Sequence, residues 1–569
     1  MKMTQINPLG WIDYLVIAVM LCISAGIGIY YRFSGGRQKT MEEYFIASRS
    51  MSTVPVAIAL VVSFLSGITM LGSSAEIYTY GTQYVMMNIA YILSTPIICY
   101  GFLPVFYKLQ ATSVYEYLEK RFGIRARMMA SFLFWIRLLL LSGIVLYAPS
   151  LALEVTTRMS KTASIIIIGL VCAFYSSLGG IKAVVITDVF QSLLMFAAVF
   201  LIIGVAASDV GLEQIWEIAR QGQRLEFDNI DLDPTVRNTW WTTVLGGLCI
   251  DLSLQGVNQV QIQRMLTLKN LQASQRAVWL ALPIRLLLSI AICFSGLAMY
   301  SRYYNCDPLL QKRISSLDML MPLYVMDTMS NIPGLPGLFV AGILSATLST
   351  ISATLNSLAA ITLEDYIKPV YRKCIGHEFS PKISVPIAKV LAFMFGIILI
   401  ALAFLMQFLG ALQTTAYTIS GVINGPILGI FTLGMGTESA TESGAIIGTL
   451  TAYSFLFWIV FGQPRPIPPK LPTTIEGCDN SIANMTMSVL QNGTSFSKST
   501  GDSSYFYLYR ISYLWYSFLG FIITFLLGLL ISNLSRLLLK NQSNELDPNL
   551  FFPVVARIRS RYKDVKNDK

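Results

Sequence analysis

Charge is scarce in this chain. Only 13% of its 569 residues are charged, whereas 54% are hydrophobic. Soluble globular domains carry about 25% charged residues, because much of their surface faces water. The shortage of charge excludes an ordinary soluble protein and indicates a chain that lies mostly in lipid.

Two features that are common in enzymes and pumps are also scarce or absent. The sequence has one histidine, His377, which we place in a polar cytoplasmic loop beside Glu378. Histidine-based catalysis inside the bilayer is therefore disfavoured. The phosphate-binding pattern G-x-x-x-x-G-K-[ST] does not occur, which disfavours a pump driven by ATP. We expect a protein that is not an enzyme and that needs no bound cofactor.

Long apolar runs are what the sequence has instead. About 20 apolar residues suffice to cross a hydrocarbon core of about 30 Å as a helix. We predict an all-α polytopic membrane protein with about thirteen transmembrane helices. They lie near 11–31, 53–75, 84–106, 128–153, 162–178, 183–207, 240–262, 277–300, 335–360, 385–407, 412–434, 441–461 and 511–534.

The basic residues indicate how the spans are oriented. The net charge is +10, and the bases gather in the odd-numbered connections and after the last span. The connection between the sixth and seventh spans is acidic. Bases concentrate on the cytoplasmic side of membrane proteins, so we place the N-terminus outside and the C-terminus inside the plasma membrane. The positive charge thus reflects topology, and nucleic acid is not an expected partner.

The outward connections carry two further signals. Asn484 and Asn492 each begin an Asn-x-Thr sequon in the long connection between the last two spans, which this topology exposes to glycosylation. Cys306 and Cys478 are the two cysteines in outward connections, so a disulfide, if one forms, should join them.

Two of the predicted spans are interrupted at comparable places. Span 2 carries Ser66-Gly67 near its middle, and span 7 carries Gln255-Gly256 in its second half. Glycine beside polar residues weakens a helix and frees backbone groups that lipid cannot satisfy. The two broken spans begin successive groups of five spans, 2–6 and 7–11. This is the pattern of an inverted five-helix repeat whose broken first helices build a central binding site.

We therefore predict a LeuT-like core with repeats at about 53–207 and 240–434. The spans at 11–31, 441–461 and 511–534 should be peripheral, and residues 1–540 should form one transporter domain. Residues 541–569 should be a basic, disordered cytoplasmic tail. Glycine is also common in membrane helices for packing alone, so the pairing of the two breaks carries this prediction.

Several segments, in order along the chain, resemble the sodium/solute symporter family. They are RSMSTVPVAIALVVSFLS (49–66), AEIYTYGTQY (75–84), LYAPSLAL (146–153), YSSLGGIKAVVITDVFQ (175–191), LSLQGVNQVQIQR (252–264) and LPGLFVAGILSATLSTISATLNSLAAITLEDY (335–366). Within the family the chain is most similar to the branch of sodium-coupled monocarboxylate, multivitamin and iodide transporters. The resemblance implies a symporter that moves a small organic solute or anion into the cell with sodium, by alternating access.

Residues 345–357 are unusually polar for a membrane span, because seven of the 13 side chains carry a hydroxyl. Ala346, Ser349 and Thr350 are spaced i, i+3 and i+4 and share one face of a helix. One carbonyl and two hydroxyls can therefore converge on sodium, a hard cation that prefers oxygen ligands. The other hydroxyls between 345 and 354 should bond back to carbonyls of their own helix.

The resemblance adds two more oxygen ligands and a route for the ion. The added ligands are the carbonyls of Val62 and Leu65 at the break of span 2. Asp188 lies about two turns inside span 6, at a depth where a carboxylate is costly unless hydrated or paired, and Gln191 follows one turn on. By similarity to the family, these two lie below the ion site and ease the release of sodium. The alternative is that Asp188 is a structural partner of Lys182 or of nearby backbone groups.

The substrate should lie between the breaks of spans 2 and 7 and span 3. The candidates are Phe64, Thr69, Met87, Tyr91, Asp251 and Gln255, with Trp240 or Trp241 as a further one. Asp251 departs from the branch that the chain resembles, which has an uncharged residue there. A buried carboxylate repels a carboxylate substrate unless it is protonated or paired with a cation such as Arg137 or Arg285. Two alternatives therefore stay open: a symporter of a cationic or zwitterionic solute, and a transport-dead sensor or channel on the same fold.

Overall fold

The computed structural model describes residues 9–33, 41–63, 65–109, 113–157, 159–377, 379–408, 410–464, 468–478, 505–539 and 546–559. This part of the chain is almost entirely α-helical, as the sequence predicts. Its β-structure is limited to one isolated bridge between Met51 and Leu268.

The α-helices of the described residues are α1 (Trp11–Phe33), α2 (Met41–Ile46), α3 (Thr53–Val62), α4 (Gly67–Tyr80), α5 (Met87–Ile97), α6 (Leu103–Leu109), α7 (Glu116–Arg121), α8 (Ile124–Thr157), α9 (Lys161–Asp209), α10 (Leu212–Gln221), α11 (Gly247–Asp251), α12 (Gln259–Met265), α13 (Leu271–Tyr303), α14 (Leu320–Met329), α15 (Leu335–Ile361), α16 (Lys368–Ile375), α17 (Pro381–Met406), α18 (Leu412–Gly436), α19 (Glu442–Phe461) and α20 (Tyr516–Leu539). A further helical stretch covers 553–559.

The number of membrane spans depends on how broken helices are counted. Ten helices of the described residues are long and apolar enough to cross a membrane, and α3 with α4 makes an eleventh if the bent pair is one span. The predicted count of about thirteen is not confirmed. The differences fall on three predicted spans: the bent pair at 53–75, the shorter apolar helix Lys161–Phe174, and 240–262, which is divided into short segments.

Both predicted breaks are present. In span 2, α3 ends at Val62 and α4 begins at Gly67, with their axes bent by 55°. Span 7 consists of α11 between two π-helical segments, and its helix is interrupted at Val257 and Asn258, just after the predicted Gln255-Gly256. Asn258 has extended backbone, and its side chain accepts a hydrogen bond from the Val260 N–H, which caps α12.

A third break separates the predicted spans at 162–178 and 183–207. α9 runs through both, but Gly180 has φ 62° and ψ −175°, which is not helical. A Cβ at Gly180 would lie 3.0 Å from the ring of Tyr44. The positive φ and the close ring both favour glycine at this turn between the two halves.

The hydroxyl-rich helix α15 lies at the centre of the molecule. In its most apolar stretch 89% of the residues are buried, more than in the other candidate spans of the described chain. It packs against α1, α8, α9 and α17. Small residues allow close approach, and a Cβ at Gly342 would lie 2.5 Å from Ala198 on α9. A polar helix is tolerated here because protein, not lipid, surrounds it.

The tail after the last span is more ordered than the sequence predicts. Leu550 and Phe551 are buried, and the Phe552 N–H donates to the Met435 carbonyl at 2.9 Å. The hydroxyl of Tyr117 donates to the Leu550 carbonyl at 3.0 Å. The expected disorder is therefore wrong for 546–559, where aromatic side chains give the basic tail an apolar contact surface.

At the opposite end, the loop before α20 packs over α4. The sulfurs of Cys306 and Cys478 are bonded, with Cα atoms 5.2 Å apart. The Leu471 N–H donates to the Thr79 carbonyl at 3.1 Å. The predicted glycosylation sites Asn484 and Asn492 lie outside the described residues.

Candidate functional site

The break in span 2 lies against α15. A Cβ at Gly67 would lie 2.8 Å from Thr347 Oγ1, so glycine lets the start of α4 come this close to the hydroxyl-rich helix. Val62 and Leu65 flank the break and are buried. No described residue donates a hydrogen bond to either carbonyl across the break, because the helix that would supply the donor is interrupted. Two backbone oxygens at the break are thus left without a hydrogen-bond donor among the described residues.

Ser349 and Thr350 present hydroxyl oxygens close to the break. Ser349 Oγ donates to Asp188 Oδ1 at 2.6 Å, and Thr350 Oγ1 donates to the Ala346 carbonyl at 3.0 Å. A hydroxyl that donates its proton keeps its lone pairs for a cation. Thr350 also lines the same cavity as Ser66, which lies within the break. Neutral oxygens from the break and from α15 therefore line one cavity.

The other hydroxyls of α15 between 345 and 354 divide into two groups. Ser352 and Thr354 donate to the carbonyls of Ser349 and Thr350, at 3.0 and 2.9 Å, as predicted for back-bonding. Ser345 and Thr347 differ, because their hydroxyls have no hydrogen-bond partner among the described residues.

Asp188 on α9 lies between the hydroxyl helix and a buried cation. Its Oδ2 accepts from Arg264 Nη2 at 2.7 Å, and both side chains are fully buried. The partner of Asp188 is therefore Arg264 on α12, and the alternative suggested from the sequence, Lys182, is wrong. Gln191 is also buried, and its Nε2 lies 3.4 Å from Ser24 Oγ on α1. The structure thus connects the Ser349 hydroxyl, through one carboxylate, to the helix after the break of span 7.

A cavity of about 100 Å³ lies beside the two breaks. Its polar lining comes from five parts of the fold: the break of span 2, α8, the break of span 7, α15 and α18. The polar side chains that line it include Thr69, Arg137, Asn258, Gln261, Gln413 and Tyr417. Thr350 also lines it, so a solute in this cavity lies next to the hydroxyl cluster.

Arg137 on α8 is the cation of this cavity. Its side chain is 2% exposed, and its Nε has no hydrogen-bond partner. Its contacts are a long 3.4 Å bond from Nη2 to Ser420 Oγ and the Phe134 ring, 5.5 Å away. Among the described residues no carboxylate lies within ion-pair distance of it. A buried guanidinium is costly without an acceptor, and Arg137 can donate to an acceptor group placed in this cavity.

Asp251 does not face that cavity. It forms an ion pair with Arg285 Nη2 at 2.5 Å and accepts a hydrogen bond from Ser94. The Arg285 guanidinium also lies 3.5 Å from the centre of the Tyr91 ring. Of the two cations considered from the sequence, Arg285 is the partner and Arg137 is not. The carboxylate is neutralised within the protein and does not exclude an anionic solute.

The structure separates the predicted substrate residues. Thr69 lines the main cavity, whereas Asp251 and Gln255 line a second cavity of about 30 Å³, which is large enough for a water molecule but too small for an organic solute. Met87 packs against Gly247, where a Cβ would lie 2.3 Å from its sulfur. Tyr91 stacks on Arg285.

Three other predicted candidates fall elsewhere. Phe64 lies outside the described residues. The indole N–H groups of Trp240 and Trp241 donate to the Phe227 and Ile230 carbonyls of the preceding loop. Sequence reasoning missed Gln413 and Tyr417 as cavity residues. It could have found Arg137 as one, because a cation within a membrane span is a functional candidate in its own right.

An ion pair lies between two of the helices that line the cavity, α4 and α18. Arg237 makes two hydrogen bonds to the Glu76 carboxylate, at 2.7 and 2.8 Å, and its Nη2 lies 2.9 Å from Thr414 Oγ1. Burial alone would lower the pKa of Arg237, but the charge of Glu76 outweighs it and the pKa is raised. The guanidinium therefore stays charged and joins the end of α4 to the start of α18.

The sequence and the fold both match known transporters. A model of the sodium:solute symporter family matches residues 44–452. The chain is 50% identical over 520 residues to a putative sodium-dependent multivitamin transporter of Drosophila melanogaster, covering 91% of this chain and 85% of that protein. It is 39% identical over 533 residues to the sodium-coupled monocarboxylate transporter 1 of Mus musculus, covering 90% and 85%.

The fold is similar to that of a Na⁺-coupled sialic acid symporter solved in a substrate-bound outward-open state. The TM-score is 0.71 at 22% identity, and the match covers 92% of this chain and 98% of the other. This likeness bears out the predicted LeuT-like architecture. Together with the family match and the two relatives, it settles the classification, and the chain belongs to the sodium:solute symporter family.

Proposed function

We propose that this sodium-coupled solute symporter imports small organic anions with a carboxylate group, such as monocarboxylates or carboxylate-bearing vitamins. The observation that carries the proposal is Arg137, a buried guanidinium that lines the cavity and has no carboxylate partner among the described residues. A substrate carboxylate can form two parallel hydrogen bonds with a guanidinium. The names of the similar multivitamin and monocarboxylate transporters fit this chemistry.

Sodium binds, in this proposal, between the break of span 2 and α15. Its ligands are the carbonyls of Val62, Leu65 and Ala346 and the hydroxyls of Ser349 and Thr350. Because Thr350 also lines the solute cavity, a bound cation lies beside the solute and favours a negative charge there. Binding of one then strengthens binding of the other, which is the basis of coupling.

Two of the buried ion pairs are suited to act as gates in alternating access. Arg237 pairs with Glu76 on α4 and bonds to Thr414 on α18, and Arg264 on α12 pairs with Asp188 on α9, which also bonds to Ser349. We assign the first pair to the outer gate and the second to the inner gate, with the N-terminus outside the plasma membrane and the C-terminus in the cytoplasm. When the inner pair opens, Asp188 and the nearby Gln191 guide sodium from Ser349 towards the cytoplasm.

An uptake panel tests the proposal. Cells that express the chain receive radiolabelled lactate, biotin, pantothenate, iodide, choline and a sugar, in sodium or in N-methylglucamine buffer. We expect sodium-dependent uptake of one or more of the three carboxylates and none of choline or the sugar. Choline or sugar uptake, or carboxylate uptake that persists without sodium, would contradict it. A cationic substrate is not favoured, because Asp251 is already paired with Arg285.

A further inference from the structure

Span 1 contacts α15, the helix that carries three of the proposed sodium ligands, through one buried carboxylate. The repeat pattern places span 1 at the periphery. Asp13 on α1 is 4% exposed. Its Oδ1 accepts hydrogen bonds from the Gly334 and Gly337 N–H groups, both at 2.9 Å, and its Oδ2 accepts from the Gly10 N–H at 2.9 Å. Gly334 and Gly337 are at the N-terminus of α15. The carboxylate therefore satisfies backbone donors that a helix start leaves free.

The contact is close and leaves α15 little freedom at this end. A Cβ at Gly337 would lie 2.5 Å from the Asp13 Cα, so glycine allows the two helices to touch through their backbones. Gly334 has φ 89°, a left-handed conformation that favours glycine. A negative charge at a helix N-terminus also interacts favourably with the helix dipole. Asp13 thus fixes both the position and the rotation of the start of α15.

Movement at this end reaches the sodium ligands. Ser349 lies 12 positions after Gly337 in the same unbroken helix, which corresponds to about 18 Å along the axis. A helix carries a shift or rotation of its start rigidly over such a distance. The hydroxyls of Ser349 and Thr350 must meet oxygens from the break of span 2, so a small rotation of α15 separates the two halves of the site.

A second buried carboxylate caps a different helix and provides a comparison. Asp318 is 4% exposed, and its Oδ2 accepts from the Leu412 N–H at 3.2 Å, at the start of α18. α18 carries the cavity residues Gln413 and Tyr417, but none of the proposed sodium ligands. Asp13 and Asp318 therefore each cap the start of a helix. The helix that Asp13 caps carries proposed sodium ligands, and the helix that Asp318 caps carries residues of the solute cavity.

We propose that Asp13 is a positioning residue for sodium binding: it holds α15 in the register that aligns Ser349 and Thr350 with the break of span 2. The inference rests on the proposed sodium site and adds span 1 to the coupling mechanism. Loss of Asp13 weakens sodium binding selectively, because the solute cavity is lined mainly by other helices.

The test measures two constants in each variant, normalised to the amount at the cell surface: the half-saturating sodium concentration at saturating solute, and the solute KM at saturating sodium. Asp13→Ala should raise the sodium constant about three- to tenfold and change the solute KM by less than about twofold. Asp13→Asn, which keeps an acceptor oxygen, should lie between Asp13→Ala and the unmodified chain. Tyr14→Leu, on the exposed side of α1, is the control and should change neither constant.

Two reference variants separate the possible failures. Asp318→Asn should mainly raise the solute KM, the reverse of the Asp13 pattern. Ser349→Ala tests the sodium site itself. If Ser349→Ala raises the sodium constant and Asp13→Ala does not, the positioning role is wrong and the site stands. If neither does, the proposed site falls and the inference falls with it.

Equal changes in both constants for Asp13→Ala would show a general loss of structure and would also overturn the positioning role. Where Asp13→Ala fails to reach the surface, Asp13→Asn and Gly337→Ala decide. Gly337→Ala pushes α15 away from Asp13 without removing the carboxylate, and it should raise the sodium constant selectively. An unchanged sodium constant in both would refute the proposal.

Discussion

Arg137 is the residue whose substitution bears most directly on the substrate class. We expect Arg137→Gln to weaken binding of a carboxylate solute strongly. Truncating one partner of a buried, hydrogen-bonded charge pair costs about 2–5 kcal/mol, and 1.4 kcal/mol is a tenfold change in affinity. The solute KM should therefore rise at least about 30-fold, while the half-saturating sodium concentration at saturating solute changes little.

The substitution should not harm folding. Arg137 has no carboxylate partner among the described residues and makes one long hydrogen bond, so its removal leaves no buried counter-charge behind. Arg137→Lys keeps the charge but loses the paired N–H groups of the guanidinium. Its solute KM should lie between those of the unmodified chain and Arg137→Gln. Surface biotinylation checks the amount of each variant at the membrane.

The assay is sodium-dependent uptake of the radiolabelled carboxylate that the panel identifies, with its amide as a neutral competitor. In the unmodified chain the amide should inhibit uptake of the labelled acid only weakly. In Arg137→Gln the difference in affinity between the acid and the amide should be smaller. A KM for the acid that is unchanged in Arg137→Gln would refute the assignment. So would an amide that competes as well as the acid in the unmodified chain.

Two further predictions concern stability and topology. Asp251→Asn leaves Arg285 as a buried cation without its carboxylate, which costs about 3–5 kcal/mol, so surface expression should fall. The double variant Asp251→Asn/Arg285→Gln should restore surface expression. A double variant expressed no better than Asp251→Asn would contradict the pairing. Asn484→Gln with Asn492→Gln should lower the apparent mass of the mature band on a gel, because both sequons lie in a loop that we place outside; an unchanged band would count against that topology.

The local features of this fold could be predicted from the sequence, and the contacts between distant residues could not. The break of span 2 follows from Ser66-Gly67, and the neutral oxygens of α15 follow from the hydroxyls at 345–357. These signals need only helix geometry and the absence of water in lipid. The number of spans was harder to predict, because the helices that break or turn do not meet a simple length criterion.

The partners of the buried charges required the structure. Asp188 and Arg264 are 76 positions apart in sequence, and Asp13 and Gly337 are 324 apart. The sequence shows that a charge within the membrane needs a partner, but several candidates satisfy that need equally. The sequence suggested Lys182 as the partner of Asp188, but the structure pairs Asp188 with Arg264. For Asp251 the sequence suggested Arg137 or Arg285, and the structure pairs it with Arg285. Only the packing of the helices decides between such candidates.

The sodium dependence of the Ser349→Ala/Thr350→Ala double variant tests the central claim most directly. The claim is that the coupling ion is held by neutral oxygens between the break of span 2 and α15. Uptake at saturating solute should require a sodium concentration about 100-fold higher or more, since two of five proposed ligands are lost and each contact to a charge is worth about 1.5 kcal/mol or more, about a tenfold change in affinity. A double variant that reaches the surface and keeps the sodium dependence of the unmodified chain would contradict the claim.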